Sequence, residues 1–478
     1  MTKSLEQIIG ESGISFGTSG ARGLVSDFSD DVVASFAQSF LRVMRGEFQV
    51  SRVAIGIDNR PSSPAMAAAC AGAAQALGIA VDYYGILPTP ALAYQAMQDS
   101  VPAIMVTGSH IPFDRNGLKF YRPTGEITKA DELAIVSTDS ELTSYTTALP
   151  AINPLAAANY IQRYREVFAP GIMQGLHIGL YEHSSAGRDL YADLFRSLGA
   201  QVTSLERTDT FVPIDTEAVA EADVEKGRRW SQEYGFDALF STDGDGDRPL
   251  IADENGQWLR GDIVGLLCAR QLGISALAVP VSCNTAIEKC GAFAKVTRTK
   301  IGSPYVIAAL EELAPHFSAI AGFEANGGFL LGSDVQLNGK LLKALPTRDA
   351  LLPGIALIAT AAKTKLSAQV ATLPARFTAS DRIQNIPTSN SKAFLAEASE
   401  DQSALLNLLE MSSKTVDSIN TTDGLRISFR EGEIIHLRPS GNAPELRCYA
   451  EADNQKTAAT LVKNVLDKLQ VRLTQTST

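Results

Sequence analysis

Three aspartates alternate with small residues in Ser241–Arg248, STDGDGDR, directly after the apolar run Asp237–Phe240. Carboxylates spaced this way on one short turn can converge their oxygens on a hard cation. Two metal readings compete. Asp243 to Glu254 has the length and end residues of an EF-hand calcium loop. However, Arg248 stands where that loop needs its turn glycine, Pro249 follows, and the flanking segments read as strands. What remains is a magnesium site formed by Asp243, Asp245 and Asp247, with Arg248 beside it to receive a phosphate. An ordinary acidic turn does not account for three carboxylates held so close together.

Four other stretches could take part in the same chemistry. Val106–Tyr121, VTGSHIPFDRNGLKFY, follows an apolar run, and its Thr-Gly-Ser-His-Ile-Pro turn puts Ser109 where open α/β sheets bind ligands. His110 and Lys119 could supply a proton relay and a charge, although a lone serine in such a turn is normally only a turn residue. Ala321–Ser333, AGFEANGGFLLGS, offers Glu324 and Asn326 to neighbouring hydroxyls such as those of a sugar ring. Leu437–Arg447, LRPSGNAPELR, sets Arg438, Ser440, Arg447 and the Gly441 and Asn442 amides around one turn, a phosphate nest. Phe16–Gly23, FGTSGARG, adds Thr18, Ser19 and Arg22, without the lysine of a Walker loop or the spacing of a dinucleotide loop.

The elements that must position these residues repeat. Val53–Asp58, Pro64–Leu77 and Ile79–Tyr84 read as strand, helix and strand. So do Leu176–Tyr181, Gly187–Leu198 and Ala200–Leu205, and again Ala276–Val281, Thr285–Cys290 and Ala294–Thr297. Such βαβ units build mixed, mainly parallel sheets covered by helices. The last hundred residues change character. A helix-like run, Asn390–Met411, precedes strands at Leu425–Phe429, Glu433–Leu437 and Glu445–Glu451 and an amphipathic helix, Gln455–Leu473. The expected fold is α/β: three tandem related domains, 1–152, 153–256 and 257–368, then a smaller α+β domain, 369–478.

The 478 residues carry a net charge of −11, which disfavours nucleic acid and anionic membrane surfaces as partners. Five scattered cysteines, with no CxxC pair, fit a reducing compartment rather than a disulfide framework. The start, MTKSLEQIIGESG, has no basic segment followed by an apolar one, and no apolar stretch is long enough to span a membrane. The expected location is cytoplasmic.

Taken in chain order, these stretches resemble the α-D-phosphohexomutase family over essentially the whole sequence. TGSHIPFDRNGLKF is similar to its serine loop, DGDGDR to its metal loop and RPSGNAPELR to its terminal phosphate loop. The resemblance implies three α/β domains and a smaller fourth around a central cleft, and an enzyme that interconverts hexose 6-phosphate and hexose 1-phosphate. The route runs through a phosphoserine and a hexose 1,6-bisphosphate. Ser109 would carry the phosphoryl group, and Asp243, Asp245 and Asp247 would bind Mg²⁺ together with an oxygen of that group. Arg22, His110, Lys119 and Arg248 would surround the reacting groups, and Glu324 and Asn326 would hold sugar hydroxyls. Arg438, Ser440, Gly441, Asn442 and Arg447 would grip the phosphate that is not reacting. Arg298, Lys300 and Ser303 fall in the family's recognition region of the third domain.

The sugar loop departs from the bacterial Gly-Glu-Met-Ser-Gly-His pattern: its serine is Asn326 and its histidine is Gly328. That leaves His110 and Lys119 as the proton-transfer candidates. The favoured hexose is mannose, with glucose and glucosamine as alternatives within the family. The reading from another class is a Mg²⁺-dependent sugar-phosphate phosphatase, and a third is a catalytically silent sugar-phosphate binder.

Overall fold

The computed structural model describes residues 3–17, 20–440 and 444–475. It divides into two compact units, residues 1–277 with 302–370, and residues 278–301 with 371–478.

In the first unit, the helix Asp30–Glu47 shows why the amino-terminal layers form. Ser29 caps it by accepting a hydrogen bond from the Val32 amide, Asp30 and Asp31 lie in its first turn, and Arg45 lies in its last. Val33, Phe36, Ala37, Phe40, Leu41 and Met44 recur at helical spacing and are all buried. Burying Phe36 and Phe40 stabilises the fold by about 1.5–3 kcal/mol each. The neighbouring helix Ser63–Ala76 presents Ala67, Cys70, Ala71 and Ala74, small residues that let the two helices approach closely.

These helices cover a sheet whose strands run in the order Ser15–Phe16, Gly20–Leu24, Arg115–Arg122, Ala103–Val106, Arg52–Ile57, Ala80–Ile86. The expected parallel pairing holds for the last three strands. The strands that carry Arg22 and Lys119 join them antiparallel. Their alternating polar residues escape the βαβ pattern, so periodicity alone did not place them. A second sheet orders Pro249–Ala252, Ala238–Thr242, His177–Tyr181 and Gln201–Leu205, with the first strand antiparallel to its neighbour and the rest parallel. Farther along, Ile320–Phe323, Phe329–Leu331 and Leu345–Asp349 pair antiparallel in that order.

The second unit contains an antiparallel sheet in the order Phe377–Gln384, Glu445–Ala452, Ile434–Pro439, Leu425–Phe429, Val416–Asn420. The helix-like run 390–411 is two helices, Thr388–Glu400 and Gln402–Leu408. Asp401 ends the first and caps the second through the Ala404 amide, at 2.9 Å. The edge strand Phe377–Gln384 gave no sequence signal, because FTASDRIQ buries only Thr378 and Ile383. Among the described residues, no helix is long and apolar enough to cross a membrane.

Candidate active site

The buried strand Ala103–Val106 delivers the chain to Thr107, whose hydroxyl donates to Asp58 at 2.7 Å and accepts from the Ser109 amide at 2.8 Å. Asp58 also pairs with Arg60 at 3.1 Å, with neither side chain exposed. The Arg60 guanidinium donates to four backbone carbonyls of the serine loop: Ser109 (2.9 Å), Ile111 (2.6 Å), Pro112 (2.7 Å) and Arg115 (3.0 Å). A Cβ at position 108 would lie 2.7 Å from Arg60 Cζ, so glycine there lets the guanidinium sit directly against the loop. Ser109 itself has φ +54°, a left-handed conformation that a non-glycine residue keeps only when its surroundings impose it. The result is a fully buried serine whose Oγ donates to Asp243 Oδ2 at 2.7 Å.

The hairpin between Ala238–Thr242 and Pro249–Ala252 forms the second wall. Each of Asp243, Asp245 and Asp247 is buried, and one oxygen of each lies within 4.8 Å of the others. Close approach explains the glycines between them. A Cβ on Gly244 would meet the Ser109 carbonyl at 2.7 Å, and Gly246 takes φ +71° against Pro88 and Tyr191. The amides of Asp247 and Arg248 donate to Asp243 Oδ1, at 3.2 and 3.3 Å. Lys119 Nζ donates to both Asp245 (2.6 Å) and Asp247 (2.7 Å), and the Thr89 hydroxyl donates to Asp245 at 2.6 Å. Oδ1 of Asp245 and Oδ1 of Asp247 are buried without a hydrogen-bond partner. Buried carboxylate oxygens without a hydrogen bond, in a cluster of three acids, fit a divalent cation that prefers oxygen ligands.

Burial and the like charges of Asp245 and Asp247 push the Asp243 carboxyl well above its ordinary range. Burial works the same way on Asp245, but the ammonium of Lys119 and the Thr89 hydroxyl overcome it and hold that carboxyl low. For Asp247, burial and Asp245 are overcome mainly by Arg348.

The cationic side is equally crowded. Arg22 faces Gly117 across the antiparallel pair and Gly20 faces Lys119, so Arg22 and Lys119 share one face of the sheet. Burial, with Arg248 and Arg348 nearby, brings Arg22 down to about 10. Arg248 Nη1 donates to His110 Nδ1 at 2.8 Å, and that nitrogen is 3.4 Å from Ser109 Oγ. Burial and the Arg248 charge lower His110 to about 3, so its ring is neutral with Nδ1 as acceptor.

Glu324 and Asn326 follow the buried strand Ile320–Phe323 and are themselves buried. Glu324 pairs with Arg348 at 3.3 Å. The Asn326 side-chain oxygen accepts from the Gly328 amide at 2.9 Å, and its carbonyl accepts from Thr216 at 2.6 Å. Asn326 therefore shapes its own loop with its oxygen and has its side-chain NH₂ left for a ligand.

In the second unit, Arg438 and Arg447 face each other across a strand pair, and the Ser440 amide donates to the Glu445 carbonyl at 2.8 Å. Arg438 pairs with Asp423 at 3.0 Å, and Arg447 lies 3.5 Å from Glu445. Gly441 and Asn442, like Thr18 and Ser19, lie outside the described residues. Arg298 donates to the Pro280 and Cys283 carbonyls and pairs with Glu288, so it shapes its own segment. Ser303, in the first unit, donates to Glu126 at 2.7 Å.

Sequence reasoning missed Asp58, Arg60, Thr89 and Arg348. Asp58-Asn59-Arg60 at a strand's carboxyl end was a usable signal. Thr89 and Arg348 sit in segments with no local feature to mark them.

Residues 13–145 match the phosphoglucomutase/phosphomannomutase alpha/beta/alpha domain I, 260–377 match its alpha/beta/alpha domain III, and 383–468 match its C-terminal domain. The chain belongs to this family of phosphohexomutases, isomerases that move a phosphoryl group within a hexose phosphate. A phosphomannomutase of Salmonella muenchen is 57% identical, with 98% of each chain covered. A phosphomannomutase of Sinorhizobium fredii is 43% identical over 94% of this chain and 97% of its own. The crystal structure of a phosphoglucomutase/phosphomannomutase family protein from Burkholderia thailandensis shares the fold at a TM-score of 0.75 and 20% identity, covering 95% of this chain and 96% of its own.

Proposed function

We propose that this chain is a cytoplasmic phosphomannomutase that carries its phosphoryl group on Ser109. The observation that carries the reading is the 2.7 Å contact between the buried Ser109 hydroxyl and the aspartate cluster. The two phosphomannomutases described above support mannose as the hexose. The reading keeps the division of the chain at 152, 256 and 368.

Asp243, Asp245 and Asp247 would hold Mg²⁺, which would neutralise charge on the phosphoryl oxygens. In the first transfer, a sugar hydroxyl attacks the phosphorus, the bond to Ser109 Oγ breaks, and the serine oxygen takes up a proton while the hydroxyl loses one. His110 and Lys119 are the residues proposed to move those protons. Arg248 fixes the His110 ring through Nδ1, and Arg22 and Arg248 face the negative charge of the phosphoryl group in flight. The hexose 1,6-bisphosphate then turns over and returns its other phosphate to Ser109. Glu324 and Asn326 hold sugar hydroxyls, and Arg438, Ser440, Gly441, Asn442 and Arg447 hold the phosphate that is not reacting. Burial of Ser109 keeps water from the phosphoenzyme, which supports transfer over hydrolysis.

The test supplies Mg²⁺, a trace of hexose bisphosphate, and mannose 1-phosphate or glucose 1-phosphate in turn, and follows the 6-phosphate. Isomer forms with little inorganic phosphate, faster from mannose. Steady phosphate release without isomer would instead establish the phosphatase reading.

A further inference from the structure

Position 328, where the resembling loops carry a histidine, is glycine for a physical reason. A Cβ there would lie 2.6 Å from Arg348 Cδ and 2.7 Å from its Cγ. Arg348 comes from the strand Leu345–Asp349, which runs antiparallel to Phe329–Leu331, and its side chain fills the space beside the sugar loop. It is 3% exposed, and one guanidinium reaches two carboxylates: Asp247 Oδ2 at 3.1 Å from Nε and Glu324 Oε2 at 3.3 Å from Nη1. Asp247 belongs to the metal loop and Glu324 to the sugar loop. Glu126 adds a third carboxylate near the same cation, so acids from three segments hold its charge.

We propose that Arg348 is a positioning residue that couples the two loops, fixing the sugar-binding carboxylate of Glu324 relative to the phosphoryl-transfer centre. The proposal rests on the phosphoryl-transfer reading above. Without this bridge, Glu324 is free to change rotamer and the two buried carboxylates repel. The hexose then binds, but its attacking hydroxyl is no longer held in line with the phosphorus. Misplacement of about 1 Å costs on the order of 10²-fold in rate, because the geometric advantage is lost while most binding contacts persist. The guanidinium donates to Glu324 through Nη1 while its Nε edge holds Asp247 by charge at 3.1 Å. An ammonium can approach both but cannot hold both in fixed geometry.

The experiment compares Arg348→Met, Arg348→Lys, Gly328→Ala and the double variant Arg348→Met/Gly328→Ala with wild type. It records kcat, KM for the hexose phosphate and the melting temperature. Arg348→Met should lose about 10²-fold in kcat with a much smaller change in KM, and Arg348→Lys should recover part of it. Gly328→Ala should give a similar kcat loss by displacing the arginine. The double variant should be no slower than Arg348→Met, since the guanidinium bridge that Gly328→Ala displaces is already absent. A kcat within threefold of wild type in Arg348→Met overturns the proposal, as does full additivity in the double variant. If Arg348→Met does not fold, Gly328→Ala and Arg348→Lys carry the same comparison. The rates are read as total phosphoryl transfer, to isomer or to inorganic phosphate. A wild type that only releases phosphate would therefore sink the mutase reading and still test Arg348.

Discussion

Ser109 Oγ and Asp243 Oδ2 lie 2.7 Å apart although 134 residues separate them in the chain, and neither side chain is exposed. The serine hydroxyl donates to the one aspartate of the cluster that its surroundings push upward, while its backbone is held in a left-handed conformation by Thr107 and Arg60. Ser109→Ala should remove a covalent phosphate from the intact mass and abolish turnover. Asp243→Asn should keep the serine but lower kcat by about 10²–10³-fold, the usual effect of deleting one electrostatic partner of a transition state. Mass spectrometry and steady-state kinetics on both variants check this, and a phosphate that persists in Ser109→Ala would place the carrier elsewhere.

Metal removal is expected to abolish activity, and Mg²⁺ to restore it. Binding to the folded state alone also stabilises that state, by about 2.7 kcal/mol at a hundredfold excess over Kd. Adding Mg²⁺ to chelated protein should therefore raise the melting temperature. Asp245→Asn/Asp247→Asn should lose that rise, because it removes two of the three carboxylate charges that would hold the cation. An equal rise in wild type and double variant would mean that the cation binds at another place.

Arg60 is expected to matter through the loop it holds. Arg60→Met strands the buried Asp58 carboxylate and leaves four carbonyls of the serine loop without their donor. Removing one partner of a buried ion pair costs about 3–5 kcal/mol. Denaturant unfolding should show a loss of that order. Limited proteolysis should find new cleavage between residues 108 and 115, and unchanged stability would refute the role.

His183 gives the acid side of stability a specific source. Its Nε2 donates to the Thr242 carbonyl at 2.9 Å, its Nδ1 has no partner, and burial lowers it to about 4, with Lys226 and Arg188 adding to the effect. A depressed folded-state value means that the unfolded chain binds the extra proton first. The stabilisation is therefore complete above about pH 6.5 and is lost as pH falls toward 4. Melting temperatures of wild type should fall across that window. Those of His183→Asn should fall less, asparagine being tolerated at φ +31°. Parallel curves for the two proteins would remove His183 from the explanation.

Arg438→Ala should act mainly on binding. If it grips the phosphate that is not reacting, KM should rise about tenfold or more while kcat changes less, the pattern of a lost contact made equally in ground and transition states. An unchanged KM for the hexose phosphate would contradict the assignment.

Sequence alone determined the repeated βαβ units and the three loops that follow their strands, because strand periodicity and glycine-rich turns are local properties written within ten or fifteen residues. It also marked Ser109, the three aspartates, Glu324 and the Arg438 turn, whose residue types are conspicuous where they stand. Only the tertiary structure decided what each residue does beside the others. Arg60 stands in a polar turn at a strand's end and Arg348 in a segment with no motif, yet one clamps four carbonyls of the serine loop and the other pairs with both Asp247 and Glu324. Asn326 read as a sugar ligand, and its oxygen turned out to close its own loop. The uneven titration of Asp243, Asp245 and Asp247 arises from burial and from cations contributed by distant strands. Desolvation and charge pairing depend on which groups meet in space, and no spacing along the chain encodes that.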